Sequence, residues 1–380
     1  MTRHVAVLTG KRGGFGALAP TMSEISRRGM RLSVIVTDQH LYDRFGRTIR
    51  EVEGRFKVAA AIDMEQQGDS NADRARAIGV CLAKAADVLS QLRPDFLLVI
   101  GDRGEVLAAS IAAHNLRIAI AHVQGGDISG SLDEPVRHAL TKLAHVHFPS
   151  TEKAGARIRK MGEEPWRVHV VGDTHIDQIL LGAVTPEEEL RRRYHLPGRG
   201  QFVLVLQHSD STEPESSAAQ MAETARAVQA IGMRALYVYP CSDQGYEGII
   251  AQIEKLRSRP GVSIHENIPA ADFIGLQKVA GCLVGNSSAG LIETPYFGLP
   301  AVNIGERQNG REHAENVLHV GYRSAEIEQA IRRALSDQAF RSACLGVKPP
   351  FGDGTAYRRI ADVLESVEFA PRLLNKRVAY

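Results

Sequence analysis

The chain has 380 residues, a formal net charge of only +2 from 46 Lys+Arg and 44 Asp+Glu, 44% hydrophobic and 24% charged residues. At roughly 100–200 residues per domain this is enough for about two or three globular domains with full cores. The near balance of charge speaks against the long-range field that holds nucleic acid or an anionic membrane. The scattered cysteines Cys81, Cys241, Cys282 and Cys344, none in a C-x-x-C pair, speak against a zinc site or a disulfide framework.

The start MTRHVAVLTG reads as a strand entering the fold rather than a targeting segment. No run of about 18 apolar residues exists to span a membrane, so the expected setting is cytoplasmic with reduced thiols. Short apolar runs then alternate with helical stretches. HVAVLTG, LSVIVTD, FLLVIGD, IAIAHVQGG, VHFPS and VHVVGD are each closed by Gly, Asp, Pro or Ser. Runs apolar throughout suit parallel strands covered on both faces. Helical spacing is expected over 73–92, up to the breaker Pro94, and over 104–115 and 134–146. The pattern restarts at QFVLVLQHSD, with ALYVYP, GVSIHENI, GCLVGNSS and PAVNIGER as strands. Helices are expected over 213–231, 246–257, 270–280, 288–297 and 356–368.

The charged segment 173–200 reads as a linker, and the tail PRLLNKRVAY as either a mobile end or a packed arm. The predicted fold class is therefore α/β, with two Rossmann-like domains facing a cleft. The expected domains are 1–172, with a C-terminal helix of about 356–380 packing back on it, and 173–355.

Ligands of open α/β sheets bind at the carboxyl ends of the strands, so the residues there carry the functional question. After the first strand comes Gly10-Lys11-Arg12-Gly13-Gly14-Phe15-Gly16, a loop suited to an anion. It lacks both the Walker and G-x-G-x-x-G spacings, and a tight strand–helix turn accounts for it equally well. Asp102 and Arg103 follow FLLVI; a helix cap explains the Asp but not the neighbouring Arg. The run from His122 to His138 is the densest polar stretch, with Gln124, Asp127, Asp133, Glu134 and Arg137 in one glycine-rich loop. Paired carboxylates there suit proton abstraction from carbon, although acids in a first helical turn also favour the dipole. In the second half, Gln207-His208 closes FVLVL. Ser287-Ser288 opens a helix as a phosphate cradle, with Glu293 placed for ribose hydroxyls. Arg307 and Arg311 follow AVNI. The residues thus describe a two-domain enzyme binding a nucleotide diphosphate in its C-terminal half and doing acid–base chemistry in its N-terminal half.

The run GDRGEVLAASIAAHNLRIAIAHVQGGDISGSLDEPVRHALTKLAHVHF, with LQH, GCLVGNSSAGLIETPYFGLPAVNIGERQNGRE and ENVLHV, resembles the hydrolysing UDP-N-acetylglucosamine 2-epimerases of sialic and legionaminic acid pathways. The resemblance extends from residue 5 to about 365. It implies glycosyltransferase-B architecture, with the last helix crossing back onto the N-terminal domain. It also implies a two-stage reaction: C2 deprotonation with loss of UDP to give a 2-acetamidoglucal, then hydration to the free 2-epimer. By position it implies Asp102 and Asp133, with Gln124 and Glu134, as catalytic groups and His208 at the leaving diphosphate. Nucleotide contacts fall on Arg12, Arg103, Asn267, Ser287, Ser288, Glu293 and Arg307. A UDP-sugar partner, no metal, no cofactor and a homo-oligomer (dimer or tetramer) are expected.

Two departures stand out. The family usually reads HIEGGE where this chain has HVQGGD, and Gln124 cannot take a proton, so the duties of the acids shift or the activity is altered. The first loop also lacks the usual T/S/N-R-A-[DE]-Y pattern. A 4-acetamido sugar or another nucleotide is then an alternative substrate. The competing classes are a non-hydrolysing 2-epimerase, a glycosyltransferase of the same architecture, and a nucleotide-sugar-binding protein with an altered site.

Overall fold

A computed structural model describes residues 2–68, 70–129, 133–210, 212–241 and 243–379. The chain divides into two compact units. The first holds the described residues of 1–127, 133–181 and 351–380, and the second those of 128–132 and 182–350.

In the first unit six strands form one sheet: β1 (His4–Thr9), β2 (Arg31–Thr37), β3 (Val58–Ile62), β4 (Phe96–Ile100), β5 (Ala119–Val123) and β6 (Val146–Phe148). Their order is β3-β2-β1-β4-β5-β6 and every pairing is parallel. Strand side chains alternate between faces, and both faces of β1 are covered. Val5 and Val7 join Leu18, Met22, Ile25, Ile360 and Leu364 in one cluster. Ala6 and Leu8 join Cys81, Ala85, Leu89 and Ala109 in another. Burial on both faces is why Val5–Leu8 reads apolar without a break; each fully buried large aliphatic is worth about 1.5–3 kcal/mol.

The second unit repeats the plan with β7 (Phe202–Leu206), β8 (Arg234–Val238), β9 (Val262–His265), β10 (Cys282–Gly285), β11 (Ala301–Ile304) and β12 (Val317–Val320), in the order β12-β11-β10-β7-β8-β9. Val203 and Val205 face Met221, Val228 and Ile331, while Leu204 and Leu206 face Leu190, Leu276 and Val279. Ranked within its unit, each sheet has the strand order 3-2-1-4-5-6. Its topological switch point lies between the first and fourth strands: β1/β4 in one unit and β7/β10 in the other.

The sequence expectations need five corrections. VHVVGD is not a strand, since only an isolated bridge joins His147 and Val168. Two edge strands, β3 and β12, were not anticipated. VAAAI is alanine-rich and carries a weak strand signal, and each edge strand acquires its form by pairing with a single neighbour. The helix at the first glycine run begins at Arg12, so Gly13, Gly14 and Gly16 lie inside its first turns and not in a loop. The helix expected over 288–297 is one α turn, Ala289–Ile292, followed by a 3-10 turn, Thr294–Phe297, because Pro295 cannot extend the ladder. The segment 173–200 contains the helices Thr174–Leu181 and Glu187–Arg193. The first of these belongs to unit 1: Ile176 and Ile179 are buried. The Asp177 carboxylate accepts the amides of Ala356 and Tyr357 at 2.9 and 2.6 Å, opening the helix Ala356–Ser366.

The tail is a packed arm. Buried Arg167 donates to the carbonyls of Leu373 and Arg372 at 2.9 and 2.7 Å. Lys376 Nζ donates to the carbonyls of Thr141, Lys142 and Ala144 and pairs with Glu163 at 2.6 Å. Among the described residues no helix is long and apolar enough to cross a membrane.

Candidate active site

At the β1/β4 switch point, Gly101 takes a positive φ of 77° and its amide donates to Val123 O at 3.1 Å. His122 Nε2–H donates to the Gly101 carbonyl at 2.7 Å. Burial holds His122 neutral, with its pKa down to about 4, so it serves to fix the turn. Asp102, 20% exposed, is ion-paired with Arg137, which is 2% exposed. Arg137 also donates to the Asp127 carbonyl at 2.9 Å. Because Arg137 lies one turn inside the helix Asp133–Leu143, it ties Asp102 to the helix whose first residues are Asp133 and Glu134. Glu134 faces His138 at 3.5 Å, four residues on. Gly130, Ser131 and Leu132 of the same run lie outside the described residues.

Two of the three arginines expected to meet a nucleotide, Arg12 and Arg103, already hold carboxylates. Arg12 pairs with Glu51. Arg103 pairs with Asp38 at 3.1 Å and Glu105 at 3.0 Å. Arg74 binds the same two acids at 3.0 and 2.7 Å. Burial pushes the Asp38 carboxyl up, but the guanidinium groups of Arg103 and Arg74 outweigh it and hold it below the usual range.

Gln124 follows β5 in the left-handed region, with φ 63°. Its amide N–H donates to Phe148 O at 3.0 Å. Its side-chain Nε2 lies 3.0 Å from both carboxylate oxygens of Asp173 and 2.9 Å from His175 Nδ1. Asp173 also accepts from Ser150 Oγ at 3.1 Å and from the His175 amide at 2.8 Å, and it meets His175 Nδ1 at 2.9 Å. Burial pushes this carboxyl up; the His175 charge and the hydrogen bonds outweigh it and leave it below its ordinary value. Next to Gln124, Gly126 has φ 81°, and a Cβ there would meet the Ala154 carbonyl at 2.4 Å, so only glycine fits.

At the β7/β10 switch point the two strand ends are clasped. The His208 amide donates to Asn286 Oδ1 at 2.7 Å, and Asn286 Nδ2 returns a bond to the His208 carbonyl at 2.9 Å. The amide of Cys241 donates to His208 Nδ1 at 3.0 Å. In neutral His208 the proton is therefore on Nε2. Arg307 donates to Asn286 O at 3.2 Å and pairs with Asp243 at 3.1 Å. Gln308 shares the Asn286 carbonyl at 2.9 Å, and Arg311 Nη1 donates to Gln308 Oε1 at 3.0 Å. Gly285 has φ 137°, and a Cβ there would lie 2.0 Å from Leu206 O. Ser287 Oγ accepts the Ala289 amide at 3.3 Å, beside Ser288. Glu293 closes the single helical turn and accepts from Gln277 at 2.7 Å. Asn267 stands apart, exposed on the loop after the edge strand β9 and two strands from the switch point.

The fold thus gathers Asp102, Arg103, Gln124 and the helix of Asp133 and Glu134 at one sheet's carboxyl edge, and His208, Ser287, Ser288 and Arg307 at the other's. Sequence reasoning missed Asp38, Arg74, Glu105, Asp173 and His175. Asp38 and Asp173 do close apolar runs, the signal that exposed Asp102, but their partners come from distant helices and loops.

This is a two-unit Rossmann-like protein of glycosyltransferase-B architecture, with ionisable groups at both switch points. The family described as UDP-N-acetylglucosamine 2-epimerase matches residues 23–365, and the chain belongs to it. Across its full length the chain is 32% identical to UDP-N,N'-diacetylbacillosamine 2-epimerase (hydrolyzing) of Legionella pneumophila, covering 100% of both chains. It is 29% identical to the UDP-N-acetylglucosamine 2-epimerase of Neisseria meningitidis serogroup B, over 96% of each. Among solved structures, UDP-GlcNAc 2-epimerase from Neisseria meningitidis bound to UDP-GlcNAc superposes with TM-score 0.83 at 19% identity, covering 96% of this chain and 100% of that one. That likeness bears on the fold.

Proposed function

We propose that the chain is a hydrolysing 2-epimerase of a UDP-N-acetylhexosamine, UDP-GlcNAc or a 4-acetamido relative, releasing UDP and the free 2-epimer. The observation that carries the reading is the full-length relation to a relative named as hydrolysing. The Asp102–Arg137 tie to the helix of Asp133 supports it. In this reading the first unit supplies the groups that work on the C2 proton, and the second supplies His208 and most of the diphosphate contacts.

The C2 hydrogen of the sugar is weakly acidic, so its removal must accompany departure of a stabilised diphosphate. A carboxylate, Asp102 or Asp133, takes that proton; the C–H electrons form the C1=C2 bond and the C1–O bond breaks toward UDP. Arg137 holds the Asp102 carboxylate by an ion pair. His208, with Nε2–H fixed by the Cys241 amide, donates to the leaving oxygen. Ser287, Ser288 and Arg307 receive the diphosphate and Glu293 the ribose hydroxyls, with Asn267 a further nucleotide contact. The one-turn helix at Ala289 offers only a small dipole, so hydroxyl and amide hydrogen bonds carry this contact. Arg12 and Arg103 reach phosphate by exchanging their present carboxylate partners. In the second stage water adds at C1 and a proton returns to C2 on the opposite face.

Incubation with a panel of UDP- and GDP-linked N-acetylhexosamines, followed by chromatography, tests this. Free nucleotide and free 2-epimer are expected. A product still linked to nucleotide would make the chain a non-hydrolysing epimerase; transfer only to an added acceptor would make it a glycosyltransferase.

A further inference from the structure

Asp173 and His175 form a dyad that the two-stage scheme does not use. Asp173 is 1% exposed and His175 29%. The aspartate begins the helix Thr174–Leu181, and its bond to the His175 amide is an ordinary helix cap. A cap does not account for the rest. The same carboxylate holds the imidazole Nδ1 at 2.9 Å. It also accepts from Ser150 and from the Gln124 amide. Gln124 is held in a left-handed conformation that non-glycine residues seldom adopt. A buried carboxylate thus lies at 173, a hydrogen bond from Gln124, and it carries a partly exposed histidine.

We propose that His175 is the base of the hydration step, with Asp173 its positioning residue; this rests on the hydrolysing reading above. Gln124 Nε2 also lies 2.9 Å from Nδ1; with its two hydrogens taken by the carboxylate oxygens, Nδ1–H donates to Asp173, and Nε2 is the basic nitrogen. In the second stage an O–H bond of water breaks as its proton passes to Nε2, and the oxygen forms its bond to C1. The C1=C2 electrons take a proton at C2 from the carboxylic acid on the opposite face. Asp173 stabilises the resulting imidazolium. When that proton is lost to solvent, the sum is UDP-sugar and water giving UDP, free sugar and one proton. Gln124 holds Asp173 from the other side with a neutral donor and adds no negative charge.

The test separates the two stages. Wild type, His175→Gln and Asp173→Asn are each incubated with the panel substrate that wild type turns over, and UDP, 2-acetamidoglucal and free sugar are followed by NMR. In His175→Gln, UDP release is expected to stay within about threefold of wild type while free sugar falls ~10²–10⁴-fold, the usual size for a lost general base. The unsaturated sugar accumulates in its place. Asp173→Asn follows in the same direction by a smaller factor. Because His175 is partly exposed, its variant tests the chemistry independently of any folding defect at Asp173. Wild-type sugar release by His175→Gln, or equal loss of UDP and sugar with no glycal, overturns the dyad and leaves the epimerase reading standing. Absence of free sugar from wild type itself overturns both.

Discussion

Replacing Gln124 by glutamate would set two carboxylates against each other. In the native protein the Gln124 amide lies 3.0 Å from both oxygens of Asp173. The change first removes a hydrogen bond to a charged acceptor, worth ~1.5–3 kcal/mol. It then adds a unit charge; at 3.0 Å and an effective dielectric constant near 20 the repulsion is roughly 5 kcal/mol. The pair relieves this by keeping one proton, so its upper apparent pKa rises in the folded state. A raised carboxyl pKa means the folded state binds the extra proton more tightly than the unfolded chain, so stability lost at high pH returns as pH falls. Denaturant melts from pH 5 to 8.5 should therefore show Gln124→Glu about 2–5 kcal/mol less stable at pH 8, with the gap narrowing toward pH 5. Adding Asp173→Asn reverses the polarity of the pair and should recover much of the loss, as a coupling energy in a double-mutant cycle. A Gln124→Glu protein as stable as wild type at pH 8, with no coupling to Asp173→Asn, would refute the contact and the reasoning built on it.

Three further outcomes follow from the same geometry. Asp102→Asn and Asp133→Asn should each lower turnover by ~10²–10⁴ while calorimetry finds UDP affinity within a few-fold; near-normal turnover in either would show the wrong acid was chosen. Ser288→Ala and Glu293→Gln should weaken UDP binding by about 1.5–3 kcal/mol each, read by the same calorimetry, and unchanged affinity in both would move the nucleotide site elsewhere. The arm clamp should be acid-labile. Burial pushes the Glu163 carboxyl up, but bonds from His147, Lys142 and Lys376 outweigh it and bring it down to about 2. Its stabilising contribution is therefore complete above the ordinary glutamate value and is lost as pH falls toward 2. Glu163→Gln should flatten that acid limb of the melting curve and expose the tail to protease at neutral pH.

How far the sequence carried the account depends on where each signal resides. The strands buried on both faces, such as β1 and β7, announce themselves because Val5–Leu8 and Phe202–Leu206 are apolar without a break. The edge strands β3 and β12 do not, since half their environment is solvent and a single neighbour sets their form. The places of Asp102 and His208 after strands, and of Asp133 at a helix start, were legible because each lies in a recognisable run. The clasp of Asn286 on His208 was not: it joins residues 78 apart, through a switch point that only topology creates. The largest loss was Asp173. Within VHVVGD it looks like the stop of one more strand, and only the fold shows that its carboxylate lies against Gln124, across 49 residues. The glycine run at 10–16 misled in the opposite direction, because a helix beginning at Arg12 absorbs most of it.

In the proposed reaction the chain removes and replaces a proton at C2 and releases the sugar from its nucleotide. One NMR time course in deuterated water, with the N-acetylhexosamine nucleotide the protein accepts, tests it most directly. UDP and a free 2-epimer are expected to appear together, the sugar carrying deuterium at C2 from its first turnover. Free sugar that keeps its original C2 hydrogen and configuration, or a deuterated sugar still joined to nucleotide, would contradict it.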